Sequence, residues 1–333
     1  MNDRTQLIQE IHQLLINEGF ETSHVYEHSC FDMVARKKAL LLMLKVLINV
    51  ESVNESHVEE IRELSNAFLA SPLIVGLKSK NNILEEDVVY ERHGIPTISV
   101  ETLKNMIVYD EYPEILADRG GYYVQINGNI LKEYRKEYSL SLKDLADLAH
   151  VSRATMYKYE NGKVRANTET AMALENILNT KITLDIDLFK PYKQPEDTKL
   201  KADAFNSDNP TNDLAKLGFG IVSTEKSPFD ALAKLNEPKV NPNNPLLANL
   251  VNFNSNYSLI ADWENNRNSK TLKKMAITLK DLSLITLSDS FFIVNNEKIG
   301  DSLDGIPVVK SWEMKEVGDS AEFIKIVKER RDN

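Results

Sequence analysis

The spacing of apolar residues changes several times along the chain, and each change marks a different kind of element. Leu7, Ile8, Ile11, Leu14 and Leu15 return on one helical face. Two strand-like runs follow, 31–35 and 40–50. Residues 56–69 go back to helical spacing through Val58, Ile61, Leu64 and Phe68. PLIVGL at 72–77 and residues 95–100 have the length and continuity of buried strands, and 102–107 of a short helix. The order α-β-β-α-β-β-α predicts an α/β domain over 1–115. Residues 116–128, broken by Gly120-Gly121, read as a connector. From 129 to 187 the spacing is helical throughout. Residues 188–226 are polar, carry Pro191, Pro195 and Pro210, and read as a linker. Residues 227–333 mix strands and helices again as a second α/β domain. SPFDALAK at 227–234 parallels SCFDMVAR at 29–36, and GIPVVKSWEMKEVG at 305–318 parallels GIPTISVETLKNMI at 94–107. The two pairs occur in the same order, so the C-terminal domain reads as a repeat of the first.

Within 129–187 four short helices are expected. Ile130, Leu131 and Tyr134 line the inner face of the first. Ser141 stands three residues before Asp144, a capping-box spacing, and opens a second helix with Leu142, Leu145, Ala146 and Ala149 inward. Ala146 is small enough for two helices to cross closely there. His150-Val151 is the turn, and Ser152 caps a third helix anchored by Met156 and Tyr159. Gly162 ends it. Thr168 is read as the cap of the fourth, with Ala171, Leu174, Ile177 and Leu178 inward.

The string LKDLADLAHVSRATMYKYENGK resembles the helix-turn-helix of the lambda-repressor and Cro family. It departs from that pattern at His150, where the family usually has glycine. The resemblance implies that the third helix enters the major groove of double-stranded DNA. Arg153, Ala154 and Lys158 would then meet base edges, with Ser152, Thr155, Asn161, Lys163 and Arg165 on phosphates. It also implies a structural ion pair between Arg135 and Glu160.

Charge bears on that expectation in two ways. The chain of 333 residues has a net charge of −10, which repels DNA as a whole. Between 151 and 167, however, Arg153, Lys158, Lys163 and Arg165 face a single acid, Glu160. Cys30 is the one cysteine, so no disulfide can form within the chain. The polar start MNDRTQLIQE lacks the pattern of a signal peptide, and no apolar run is long enough for a membrane span. A cytoplasmic protein without a membrane partner is expected. There is no glycine-rich phosphate loop, and no cofactor is predicted.

The first domain carries a second resemblance. Asp32 on one strand and Lys45 on the next are similar to the restriction-endonuclease-like fold. In active members of that fold an acid two residues before the lysine helps to hold Mg²⁺. Here that position is Met43, whose thioether is a poor ligand for so hard a cation. Asp230 stands in the second domain, but no acid-x-Lys strand follows it. Both domains therefore read as degenerate, with no catalytic residues and no metal site. His28, Cys30 and Asp32 share a strand face, but nothing fixes a further ligand for zinc.

RGGYYVQINGNILKEYRKEYSLSLKDLA and FDMVARKK together resemble a family of archaeal helix-turn-helix transcriptional regulators. The fold expected is α/β plus all-α: a lambda-repressor-like helical domain between two restriction-endonuclease-like α/β domains. The resemblance implies a sequence-specific regulator acting as a homodimer, and the pairing is placed in the α/β domains. Two other readings stand beside it: a nuclease or DNA-repair enzyme guided by the helix-turn-helix, and an antitoxin-like module whose helical domain binds protein.

Overall fold

A computed structural model describes residues 3–192, 210–235, 258–264 and 269–331. The chain divides into two compact units. One comprises Met1–Leu14, Val46–Val53 and Leu73–Leu188; the other comprises Leu15–Lys45, Asn54–Pro72 and Phe189–Asn333.

The N-terminal α/β region begins with α1 (Asp3–Asn17), β1 (Glu21–Thr22), β2 (Met33–Lys37) and the long β3 (Leu40–Asn49). Helix α2 (Glu55–Phe68) leads to β4 (Ser71–Ser79), β5 (Asn82–Ile83), β6 (Val88–Arg92) and β7 (Ile95–Ser99). Helix α3 (Val100–Lys104) continues into one π-helical turn, Asn105–Tyr109. The strand order is β1-β2-β3-β4-β7-β6, with β5 paired to β4. The apolar run of β3 is explained by this layout, since a strand inside a sheet covered on both faces has no polar side to show. Gly76 of β4 is required by close packing: a Cβ there would lie 2.4 Å from Val50 Cγ1 and 3.0 Å from the Leu47 carbonyl oxygen.

The sheet then continues where the sequence suggested only a connector. Strands β8 (Ile115–Asp118) and β9 (Gly121–Val124) form a hairpin, and β8 runs parallel to β6. A two-residue strand, β10 (Ala166–Asn167), pairs with β9. The helices α4 (Gly128–Glu137), α5 (Leu142–Leu148), α6 (Arg153–Glu160) and α7 (Thr168–Leu178) are threaded through these pairings, since β10 lies between α6 and α7. The helical domain is thereby spliced into the first unit's sheet. Strands of two residues carry no readable period, which is why β1 and β10 were not foreseen.

The C-terminal α/β region contains α8 (Pro210–Lys216), β11 (Phe219–Ser223), β12 (Ala231–Leu235), β13 (Ser258–Trp263) and α9 (Ser269–Thr286). β14 (Asp289–Val294), β15 (Ser302–Leu303), β16 (Ile306–Lys310) and α10 (Ser320–Arg331) follow. The sheet order is β11-β12-β13-β14-β16-β15, the order of the first six strands of the N-terminal sheet without its β5. The directions agree as well. β1–β2, β2–β3 and β6–β7 are antiparallel, like β11–β12, β12–β13 and β15–β16. β4–β7 is parallel, like β14–β16. Helix α8 and strand β11 fall inside the stretch read from sequence as linker. Leu214 and Leu217 bury themselves with Phe219, so this part is core. Residues 193–209 of that stretch lie outside the described residues.

Among the described residues no helix is long and apolar enough to cross a membrane. The last helix is integral to its sheet. Phe323 of α10 is fully buried, with its ring edge-to-face against Phe219 at 5.8 Å and Phe291 at 5.1 Å between centroids. Phe323→Ala is expected to cost about 3–5 kcal/mol through lost contacts and the cavity left behind. Denaturant unfolding followed in the C-terminal region checks this, and an unchanged midpoint would contradict it.

Candidate nucleic-acid interface

The helical domain closes around a core of Leu131, Leu145, Ala146, Ala149, Met156, Tyr159, Ala171, Leu174 and Leu178, joined by Val124 and Ile126 from the sheet side. Each helix starts on a side-chain cap. Asn127 accepts from the Ile130 amide, and Ser152 from that of Thr155. Ser141 and Asp144 form a reciprocal capping box. The fourth cap differs from expectation. Asn167 caps α7 by accepting from the Thr170 amide, and Thr168 is the first helical residue. Asparagine is the stronger cap, and here the β10 pairing holds it extended, as a cap must be.

The turn between α5 and α6 is set by two hydrogen bonds. The His150 amide donates to Asp147 O at 3.3 Å and the Val151 amide to Ala146 O at 2.9 Å, a Schellman arrangement with His150 left-handed at φ 54°. Helix α6 ends the same way. The Gly162 amide donates to Tyr159 O, the Lys163 amide to Lys158 O, and Gly162 has φ 62°. Both ends of the recognition segment are thus fixed by backbone geometry.

Arg135 and Glu160 meet across α4 and α6. Nε of Arg135 pairs with Glu160 Oε1, Nη2 donates to Oε2 at 3.2 Å, and Nη1 donates to the Leu140 carbonyl at 2.9 Å. Both side chains are nearly buried, at 12% and 5% exposure. The hydrogen bond that Arg135 donates to Glu160, and the charge of that carboxylate, hold the guanidinium pKa above its ordinary value, against the effect of burial. Gly128 makes this approach feasible, because a Cβ there would stand 2.2 Å from the Glu160 carbonyl oxygen.

Glu160 is therefore turned inward, and the charges that remain outside between 151 and 167 are all basic. Ser152, Arg153, Ala154, Lys158, Asn161, Lys163 and Arg165 are exposed, and Thr155 is half-buried with its hydroxyl 2.8 Å from that of Ser152. Arg153, Ala154 and Lys158 share one helical face. Tyr157 lies on that same face, half exposed, with the Lys163 ammonium 5.6 Å from its ring centroid. The sequence reading passed over Tyr157, although its i+4 spacing from Arg153 was visible.

The second constellation lies on β2 and β3. Asp32 and Lys45 are both buried, with Nζ 3.3 Å from Oδ1 and 2.6 Å from the Ser29 carbonyl. Met43 points to α2, where the Ser65 hydroxyl donates to its sulfur at 3.5 Å.

Residues 4–113 match the PD-(D/E)XK superfamily domain, and residues 131–184 match a helix-turn-helix family. A "Putative HTH-type transcriptional regulatory protein" of Methanobrevibacter smithii is 57% identical over 333 residues, all of both chains. One of the same name from Methanothermobacter thermautotrophicus is 52% identical, covering 98% of this chain and 97% of that one. A third, from Pyrococcus furiosus, is 30% identical over 99% of each. The chain belongs to this archaeal family of HTH-type regulatory proteins.

The nuclease superfamily implies a divalent metal, and the residues of this family member do not fit one. The strand position that should supply a second carboxylate is Met43, and Asp32 is committed to Lys45. Among the described residues no group of three or more His, Cys, Asp or Glu is placed to hold a metal ion.

Removing Arg135 would strand Glu160 nearly buried without its partner. Arg135→Ala is expected to destabilise the helical domain by about 3 kcal/mol. Arg135→Ala/Glu160→Ala should recover part of that loss, because no charge is left buried. Thermal unfolding of the two variants decides it: equal stability of both would contradict a coupled pair.

Proposed function

We infer that the protein is a sequence-specific, double-stranded-DNA-binding transcriptional regulator of the cytoplasm that reads the major groove with α6. The observation that carries this reading is the burial of Glu160 against Arg135, which leaves every exposed charge between 151 and 167 positive on a chain whose net charge is negative. A repelling body with one attractive face confines association to that face. Arg153 has the reach for a guanine edge, Ala154 for a thymine methyl, and Lys158 for a further base. Ser152, Thr155, Asn161, Lys163 and Arg165 serve the phosphates, which orient the helix without reading sequence. Two chains place two copies of α6 on half-sites about one helical turn, roughly 34–36 Å, apart. The names of the relatives support regulation as the outcome.

The N-terminal region is a scaffold in this reading and does not cleave DNA. Lys45 is tied down by a carbonyl and a carboxylate, and Met43 stands where the reaction requires an acid. The three domains implied are the N-terminal α/β domain of 1–115, the helical domain of 129–187 and a C-terminal α/β domain that begins with α8 rather than at 227, a copy of the first.

Selection of duplexes from a random pool by the full chain tests the assignment. Wild type is expected to enrich a short common motif. Arg153→Ala is expected to lose about 1–3 kcal/mol of discrimination at one base pair, and Lys163→Ala to weaken all sequences evenly while reducing the salt dependence. Enrichment unchanged by Arg153→Ala/Lys158→Ala would overturn the reading.

A further inference from the structure

The two α/β sheets share more than strand order. The Tyr26 amide donates to Asp32 O at 2.9 Å, and the Thr224 amide donates to Asp230 O at 3.0 Å. The Asp32 amide donates to Leu44 O at 2.8 Å, and that of Asp230 to Ala261 O at 3.2 Å. Met33 stands opposite Leu44 as Ala231 stands opposite Ala261. The same register places buried Asp262 where the N-terminal copy has Lys45. These are equivalent hairpins, each with its Phe-Asp pair just before the second strand.

Their contacts with each other are reciprocal. Glu60 on α2 accepts from the amides of Glu225 and Lys226, at 3.3 and 3.2 Å, and from the Ser227 hydroxyl, all in the loop of the C-terminal hairpin. Asp281 on α9 accepts from the His24 amide at 2.8 Å and the Tyr26 hydroxyl at 2.6 Å, in the loop of the N-terminal hairpin. Each copy thus uses an acid on the helix after its third strand to grip the loop of the other. Phe68 of α2 stacks edge-to-face on Phe229, with centroids 6.4 Å apart. Arg36 of β2 donates to the Ile285 and Thr286 carbonyls at the end of α9. Contacts of helix A on hairpin B, matched by helix B on hairpin A, are the mark of an isologous interface.

We propose that the two nuclease-like copies form an intramolecular dimer, in which each half is the other's partner and the loop Lys226-Ser227 closes the Asp32–Lys45 site. Cys30 lies at that closure, with its amide bonded to Lys226 O and its sulfur 3.3 Å from the Ser227 hydroxyl. His57 sits beside the same groups, its pKa lowered by burial and then by the Lys45 charge, with Lys226 adding to the effect. A face consumed within one chain is not available between chains. Two chains on a two-fold operator therefore meet through a different surface.

The single native cysteine makes the test simple. Ser227→Cys is placed in the full chain, where the side-chain atoms are already near bonding range. Burial pushes the Cys30 thiol up to about 12, with Glu60 adding to the shift, so the chain is refolded with oxidised glutathione, which takes the two electrons and leaves as two reduced glutathiones, before the thiol is covered. Non-reducing electrophoresis is expected to show a faster band at monomer mass that reductant reverses. A disulfide-linked dimer, or a folded chain with both thiols free, would overturn the proposal. If Ser227→Cys does not fold, amide exchange replaces it. Glu60→Gln is then expected to speed exchange at 225–227 on the order of tenfold, and Asp281→Asn at residue 24 likewise. Unchanged protection in both would overturn it equally.

Discussion

The interaction on which the DNA-reading end of this protein depends is the Arg135–Glu160 pair. It does two things at once. It ties the first helix of the domain to the end of the recognition helix, at a crossing so close that only glycine fits at position 128. It also takes the one acid of the segment 151–167 out of the electrostatic field that a phosphate backbone would meet. A surface pair of the same residues would contribute little. Nearly buried, and completed by the Leu140 carbonyl, it fixes geometry and sign of charge together.

The same economy appears in how the helical domain is mounted. Its core takes Val124 and Ile126 from the sheet side, and β10 enters the sheet between α6 and α7. The exposed loop with Lys163 and Arg165 is therefore held at one end by the Gly162 turn and at the other by β-pairing. Such a loop presents cations without the entropy cost of ordering them on binding.

Much of this was legible in the sequence, for identifiable reasons. The helices at 129–179 announce themselves because caps, small residues and apolar spacing agree over four consecutive elements. Ser141, Ser152 and Gly162 do what their chemistry suggests. Thr168 did not, because the neighbouring Asn167 is the better cap and is held extended by a two-residue strand that no periodicity reveals. The hairpin 115–124 was hidden because its exposed and half-buried residues show no alternation. In the C-terminal half the repeated Phe-Asp and Gly-Ile-Pro strings pointed to the shared topology. Helix α8 and β11 were lost in polar, proline-containing sequence, although Leu214, Leu217 and Phe219 already mark a buried face. The reciprocal grip of Glu60 and Asp281 could not be read at all, since a lone helix acid looks like any solvated charge until its partner loop is placed.

The measurement that tests the central claim most directly is genome-wide mapping of the protein's binding sites in its own cells, for wild type and for Arg153→Ala. The account predicts discrete sites that share a motif, lie near transcription starts, and vanish in the variant. Sites spread without a motif, or sites indifferent to Arg153, would contradict the claim that the chain reads DNA through α6.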